Sequence, residues 1–153
     1  MRALVQRVRR AEVFVESAGE PESVGCIEQG LLVYLGVSPT DTVGDAEKLA
    51  GKLAHLRIFE DEHDKLNLSV LDVGGGLLVV SNFTLLADAR KGRRPAFDGA
   101  ARPETAEPLY QAFVAALREY GCTVACGRFG ARMTIRSDGA GPVNLIVEMP
   151  PAD

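Results

Sequence analysis

The sequence predicts an α+β fold, because two amphipathic helical segments are inserted between groups of strand-like segments. The strand patterns outnumber the helical ones, and they do not alternate with helices one for one as a doubly wound parallel sheet requires. The chain has 153 residues, of which 46% are hydrophobic and 25% are charged. This length and composition are typical of one globular domain, which we place at residues 1–153.

The first half of the chain predicts three strands and a helix. Residues 2–16 alternate between apolar and polar side chains, as a long strand does, and a Gly-, Pro- and Ser-rich interruption at 17–23 separates them from shorter strands at 24–28 and 31–37. Thr40 or Asp41 is a suitable N-cap for a helix that continues to about Phe59, because apolar residues recur there at three- and four-residue steps.

The second half predicts further strands and the second helix. Strands at 66–73 and 76–83 flank a glycine turn at 74–76, and a basic loop follows them. A helix is expected from near Thr105, with Pro108 in its first turn and Gly121 as its stop. Strands at 123–129, 131–137 and 143–149 complete the pattern.

Charge and composition restrict the class of protein. The net charge of −4 and pI of 5.3 argue against a dedicated nucleic-acid binder, but arginines cluster at residues 2–10 and 90–94, which leaves a polyanionic partner open. No apolar run approaches the roughly 18–20 residues of a membrane span, and the N-terminus lacks the apolar region of a signal peptide. We therefore expect a cytoplasmic protein without membrane contacts. Three irregularly spaced cysteines and two histidines predict neither a disulfide framework nor a metal site.

Familiar motifs of nucleophilic and metal-dependent catalysis are missing from the sequence. It contains no G-x-S-x-G elbow, Walker A loop, Rossmann fingerprint or H-E-x-x-H pair. His55 falls inside the first helical pattern and His63 in a charged turn, so we expect both to be surface or packing residues. An enzyme with this sequence would therefore depend on backbone groups, hydroxyls and the atoms of its substrate.

Two short stretches could supply such chemistry. Backbone N–H groups in "SNFTL" (81–85), where a buried strand ends next to the basic loop, could form an oxyanion hole, although Ser81 and Thr84 could equally satisfy local turn bonds. The second stretch is Gly141-Pro142, between two strand patterns. A cis peptide there would turn two carbonyls to one side, where they could accept hydrogen bonds from an ammonium group, and an ordinary turn is the alternative.

Taken together, these stretches resemble the D-aminoacyl-tRNA deacylase family over nearly the whole chain. The resemblance is carried by "MRALVQRV", "GLLVYLGV", "KLAHLRIFEDEHDKLNLSVLDVGGGLLVVS", "DARKGRRPAF" and "GRFGARM". It implies a compact, barrel-like α+β fold of two sheets with two main helices, active as a homodimer without a cofactor. The implied reaction is hydrolysis of the ester between a D-amino acid and the 3′-terminal adenosine of tRNA. Glycyl-tRNA, especially glycine misloaded on alanine tRNA, is an implied further substrate.

The resemblance also implies roles for individual residues. The family's Ser-Gln-x-Thr-Leu motif corresponds to the catalytic segment Ser81, Asn82, Phe83 and Thr84. Its Gly-cisPro motif, donated by the other subunit, corresponds to Gly141 and Pro142. Arg7 matches the arginine that braces this dipeptide across the dimer, and Phe129 and Met133 match a segment near the terminal adenosine. The cations expected to meet phosphates of the tRNA acceptor end are Arg90, Lys91, Arg93 and Arg94.

Several residues depart from the family pattern, and they leave alternatives open. Asn82 replaces the usual glutamine, Gly139-Ala140 replaces an Asn-Asp pair, and Asn144 replaces a threonine. A relative that edits other aminoacyl esters through a relaxed filter, and a tRNA-binding dimer without turnover, are therefore alternative functions. Thr84 as a nucleophile is the alternative mechanism.

Overall fold

A computed structural model describes residues 1–150 and confirms the α+β class. A six-stranded mixed sheet forms a nearly closed barrel, and a two-stranded sheet and two helices accompany it. In chain order the elements are β1 Arg2–Val15, β2 Glu22–Ile27, β3 Gly30–Gly36, α1 Val43–Ala54, β4 Phe59–Glu60, β5 Leu66–Leu68, β6 Gly76–Ser81, a 3₁₀ helix Phe83–Leu86, α2 Pro103–Glu119, β7 Thr123–Cys126 and β8 Met133–Glu148. No helix within these residues is long and apolar enough to cross a membrane.

The long strand β1 organises the main sheet. It pairs antiparallel with β8 along almost its whole length, with β3 along its first half and with β2 along its second half. The order continues from β3 to β6 and β7 through parallel pairs. A Cβ atom at Gly25 of β2 would lie 2.7 Å from the carbonyl oxygen of Cys126 in β7, so only glycine lets these two strands approach and nearly close the barrel.

The core explains why these segments fold as they do. Residues 77–80 of β6 are all buried, as expected for a parallel strand covered on both faces. Each helix turns its apolar stripe toward the same core cluster, with Leu49 and Leu53 from α1 and Phe113 and Leu117 from α2. The end of β6 and the start of α2 are thereby held on one side of the barrel.

Both helices begin and end at residues that differ from those expected. The N-cap of α1 is Thr42, not Thr40 or Asp41, because Thr42 and Asp45 form a reciprocal capping box. This helix ends at Ala54, not near Phe59, because Phe59 is buried in the core as part of β4. The second helix starts at Pro103, two residues early, since a first-turn proline needs no partner for an N–H. Pro108, expected in the first turn, therefore lies inside the helix as its sixth residue.

Several strand predictions were also wrong in extent, and the strand expected at 123–129 ends at Cys126. The segment 66–73 contains only three strand residues, because Ser69 and Asp72 exchange hydrogen bonds (Ser69 N to Asp72 Oδ2 2.8 Å, Asp72 N to Ser69 Oγ 3.1 Å) and turn the chain. The segments 131–137 and 143–149 form one strand, β8, because β1 pairs with the residues between them, with Arg10 opposite Asp138 and Val8 opposite Gly139. The Gly141-Pro142 dipeptide thus lies inside β8, at an irregularity of the ladder between the pairs Val8–Gly139 and Gln6–Asn144.

Candidate active site

A pocket of about 500 Å³ lies between the end of β6, the start of α2 and the turn that follows β7. Ser81, Asn82 and Phe83 line it on the β6 side, and Phe129 and Met133 line it from the turn and β8. Its other walls are mostly apolar, with several alanines. Five of the predicted site residues therefore share one cavity.

The Asn82 side chain caps the 3₁₀ helix at the pocket edge. Its Oδ1 accepts hydrogen bonds from the backbone N–H of Thr84 at 3.2 Å and from Thr84 Oγ1 at 2.5 Å. Because an N–H can only donate, the Asn82 atom that faces it must be the oxygen. Within residues 1–150 the Asn82 amide nitrogen has no acceptor, whereas the Thr84 hydroxyl proton is engaged by Asn82.

The backbone N–H groups of this segment differ in their partners. The N–H of Asn82 donates to the Leu35 carbonyl at 2.8 Å, and that of Thr84 donates to the Asn82 side chain. The N–H of Phe83, between them, has no acceptor in the described part of the chain. A single backbone donor is thus left for an incoming group at the strand end.

Tyr110, which was not predicted from the sequence, connects two sides of the pocket. This buried α2 residue donates a hydrogen bond from its hydroxyl to the Val79 carbonyl at 2.9 Å, and its ring packs on Phe129 with 5.8 Å between centroids. Burial raises the pKa of the Tyr110 hydroxyl, so it stays protonated and remains a donor. Tyr110 therefore fixes the end of β6 relative to the Phe129 turn.

The Gly141-Pro142 dipeptide lies away from this pocket in its own chain. Both residues are exposed, neither lines the cavity, and the peptide bond between them is cis. The φ angle of Gly141 is +128°, and a Cβ atom there would lie 2.8 Å from the backbone nitrogen of Val143. The residues predicted to act on the ester and those predicted to hold the amino acid therefore lie in separate places in one chain.

Buried Arg7 holds the segment that precedes the dipeptide. Its Nε donates to the Ala140 carbonyl at 3.1 Å and its Nη1 to the Ile58 carbonyl at 2.9 Å. The same guanidinium forms an ion pair with the half-exposed carboxylate of Glu60 at 3.0 Å. Within one chain, Arg7 thus connects β8 to β4, a contact that the sequence did not predict.

The basic loop is closed at its base and presents three cations without ion pairs. Asp88 and Ala96 exchange backbone hydrogen bonds of 2.8 and 2.9 Å. Arg90 binds the Asp88 carboxylate through Nε at 2.9 Å and Nη2 at 2.6 Å, and these bonds hold the pKa of Asp88 well below its usual range. In the part of the chain that the structure describes, the exposed side chains of the remaining cations have no carboxylate partner; they are Lys91, Arg93 and Arg94.

Other polar groups lie outside the pocket. His55 is exposed and bonds the Gly51 carbonyl, and His63 is exposed next to Glu62, so both are surface residues as expected. Within residues 1–150, no group of three or more His, Cys, Asp or Glu side chains could hold a metal ion. The pocket itself combines apolar walls with hydroxyl, amide and backbone donors.

Comparison with known proteins identifies what the chain is similar to. Residues 4–148 match the family model described as D-Tyr-tRNA(Tyr) deacylase. The D-aminoacyl-tRNA deacylase of Chloroflexus aurantiacus is 58% identical over 148 residues, covering 97% of this chain and 90% of that protein. That of Brevibacillus brevis is 56% identical and covers 97% and 99%. A solved structure titled c-Myc DNA Unwinding Element Binding Protein superposes with a TM-score of 0.88 at 38% identity, covering 97% of this chain and 98% of that one.

Proposed function

The chain belongs to the D-Tyr-tRNA(Tyr) deacylase family and is an ester hydrolase, and from this we propose that it deacylates D-aminoacyl-tRNA in a site shared by two subunits. The pocket holds the terminal adenosine and presents the ester to the segment that begins at Ser81. Gly141 and Pro142 of a second copy face the amino acid. L-Aminoacyl esters are rejected there, and glycyl esters, including glycine misloaded on alanine tRNA, are accepted.

The observation that carries this proposal is the separation of the two predicted groups within one chain. The pocket has hydrogen-bond donors at the end of β6, whereas the backbone acceptors of the dipeptide are exposed and do not line it. A symmetric dimer would bring each dipeptide to the other subunit's pocket. Exposed Leu145 and Ile146, which follow the dipeptide on β8 with 37% and 68% of their surface accessible, support a subunit interface there.

The hydrolysis follows from the groups at the end of β6. The free N–H of Phe83 donates to the ester carbonyl oxygen as negative charge develops on it, and the Asn82 amide nitrogen is a second donor. Water attacks the carbonyl carbon, the ester C–O bond breaks, and the water proton ends on the ribose oxygen that leaves. The vicinal ribose hydroxyl positions the water, so no histidine base is needed. One such backbone donor contributes on the order of 10²–10³ in rate.

The Thr84 hydroxyl has a structural role in this mechanism. Its proton is engaged by Asn82 Oδ1, and it does not line the pocket. Within residues 1–150 no histidine or carboxylate bonds this hydroxyl. Direct attack by water therefore accounts for the geometry better than a Thr84 nucleophile.

The chiral filter consists of backbone atoms. The carbonyl oxygens of Gly141 and Pro142 accept hydrogen bonds from the substrate α-ammonium, which orients the Cα substituents. The side chain of an L-amino acid then points into the dipeptide, whereas that of a D-amino acid points away. Glycine has no side chain to exclude, which explains why it would be accepted.

Departures from the family pattern near the dipeptide involve side chains that the filter does not need. The Ala140 carbonyl accepts from Arg7, and the Gly139 carbonyl accepts from Arg9 Nη1 at 3.1 Å, so both contacts use backbone atoms. Asn144 remains paired with Gln6 of β1. These contacts support a rigid filter over the relaxed alternative.

The direct test is single-turnover deacylation of D-tyrosyl-, L-tyrosyl- and glycyl-tRNA by the purified protein. We expect rapid loss of the D and glycyl esters and survival of the L ester, since only the L side chain meets the dipeptide. Hydrolysis of all three would support the relaxed editing enzyme. Stable binding of all three without hydrolysis would support the tRNA-binding dimer.

Substitutions that remove a charge from the basic loop should distinguish cations that bind tRNA phosphates from Arg90, which is paired within the protein. Replacing Lys91, Arg93 or Arg94 with glutamine should weaken tRNA binding for all sequences and lower the slope of log K against log salt by about one each. Arg90→Gln should change the slope less, because the Arg90 guanidinium is already paired with Asp88. Binding titrations between low and moderate salt measure these slopes. Equal slope changes for all four variants would contradict the assignment.

A further inference from the structure

An exposed pair of aromatic rings lies at the rim of the pocket. Phe83 and Phe97 expose 58% and 40% of their surface, and their ring centroids are 5.2 Å apart at 64°. Both residues line the pocket edge. Large apolar side chains that remain exposed beside a functional cavity indicate a binding surface.

The rim continues directly into the basic loop. Phe97 follows Ala96, whose backbone bonds to Asp88 close the loop of Lys91, Arg93 and Arg94. Aromatic faces beside unpaired cations are the combination that binds single-stranded nucleic acid, because bases stack on the rings while phosphates meet the charges. The pocket, the two rings and the loop cations follow one another, as expected for a site that binds a single-stranded nucleic acid whose terminal nucleotide enters the pocket.

We propose that Phe83 and Phe97 form a stacking platform for the unpaired nucleotides that precede the terminal adenosine of the RNA. This inference rests on the proposed function, which places that adenosine in the pocket. The loop cations then bind the phosphates of the same nucleotides. Stacking involves the flat face of a base, which all bases have, and not the hydrogen-bonding groups at its edge. The platform therefore binds RNAs of different sequence.

The test uses deacylated tRNA that carries 2-aminopurine in place of the nucleotide before the terminal adenosine. Stacking on the rings should quench its fluorescence in complex with the unaltered protein, and Phe97→Leu should abolish the quenching and weaken binding about tenfold to a hundredfold. The matched control is Tyr120→Leu, which removes an exposed aromatic residue at the end of α2 that contacts His55 at the end of α1. With Tyr120→Leu, we expect the same quenching of 2-aminopurine fluorescence and the same tRNA affinity as with the unaltered protein.

Other results overturn the platform. If Phe97→Leu and Tyr120→Leu quench and bind alike, Phe97 has no contact with the RNA. If Phe97→Leu converts a dimer to monomers, the rings face a second copy of this chain. Ester hydrolysis is measured in parallel. Quenching that depends on Phe97 without hydrolysis would uphold the platform and remove the proposed function, and hydrolysis without such quenching would do the reverse.

Discussion

Gly141→Ala should lower the single-turnover rate on D-tyrosyl-tRNA by about a hundredfold or more, the scale of losing a positioned polar group in an active site. The φ angle of +128° disfavours any residue with a Cβ, and the added atom would lie 2.8 Å from the Val143 nitrogen and 3.1 Å from Arg7 Nη2. Since the Val143 nitrogen belongs to the backbone, no rotamer change relieves the clash. The dipeptide must shift, and its carbonyls leave the substrate ammonium.

The matched control for this variant is Gly74→Ala. Gly74 also has a positive φ, +65°, but a Cβ there has nothing within 4 Å. It should cost about 1 kcal/mol of stability through its backbone conformation alone and leave deacylation unchanged. If Gly141→Ala remained folded and kept a rate within about threefold of the unaltered protein, the filter would not reside in this dipeptide.

Arg7→Met should lower the free energy of unfolding by about 2–4 kcal/mol. The substitution leaves the Ala140 and Ile58 carbonyls without their donor, and each buried polar group that loses its partner costs about 1–3 kcal/mol. It should also slow deacylation, because the segment that leads into Gly141 is no longer held. Denaturant unfolding and single-turnover rates measure the two effects.

A neighbouring arginine provides the control for Arg7. Arg9 also extends from β1 and donates to the Gly139 carbonyl of β8, but its side chain is exposed, so water can replace the bond in Arg9→Met. That variant should stay within about 0.5 kcal/mol of the unaltered protein. Equal losses of unfolding free energy in Arg7→Met and Arg9→Met would show that the buried contacts of Arg7 stabilise the fold no more than the exposed contact of Arg9.

The parts of the fold that could be predicted are those with local signals. Residues 2–16 alternate regularly, 77–80 are continuously apolar, and both helices show three- and four-residue periodicity, so these elements were found with errors confined mostly to their ends. The continuity of β8 could not be predicted, because the chain continues as one strand through a segment rich in Gly and Pro only where the residues on either side of it, Gly139 and Asn144, pair with β1. That pairing is not local in sequence.

The candidate site shows the same division. Only the resemblance to the deacylase family predicted that Ser81 and Phe129 belong to one site. The structure shows that both residues line the same cavity. The sequence did not single out Tyr110 or Phe97 as site residues. In the sequence, Tyr110 resembles an ordinary core residue of a helix, and Phe97 resembles an ordinary aromatic residue of a loop. Their roles depend on which groups they contact across the fold, namely the Val79 carbonyl and the Phe83 ring.

The claim that each site combines two subunits is tested most directly by mixing two inactive variants. Gly141→Ala damages the dipeptide, and Ala100→Trp would fill the pocket, which Ala100 lines from the segment before α2. A mixed dimer would contain one site with an intact pocket and an intact dipeptide, so the account predicts recovery to about half the wild-type rate per dimer. No recovery in mixed dimers of confirmed composition would mean that the dipeptide does not act on the partner's pocket, and would contradict the account.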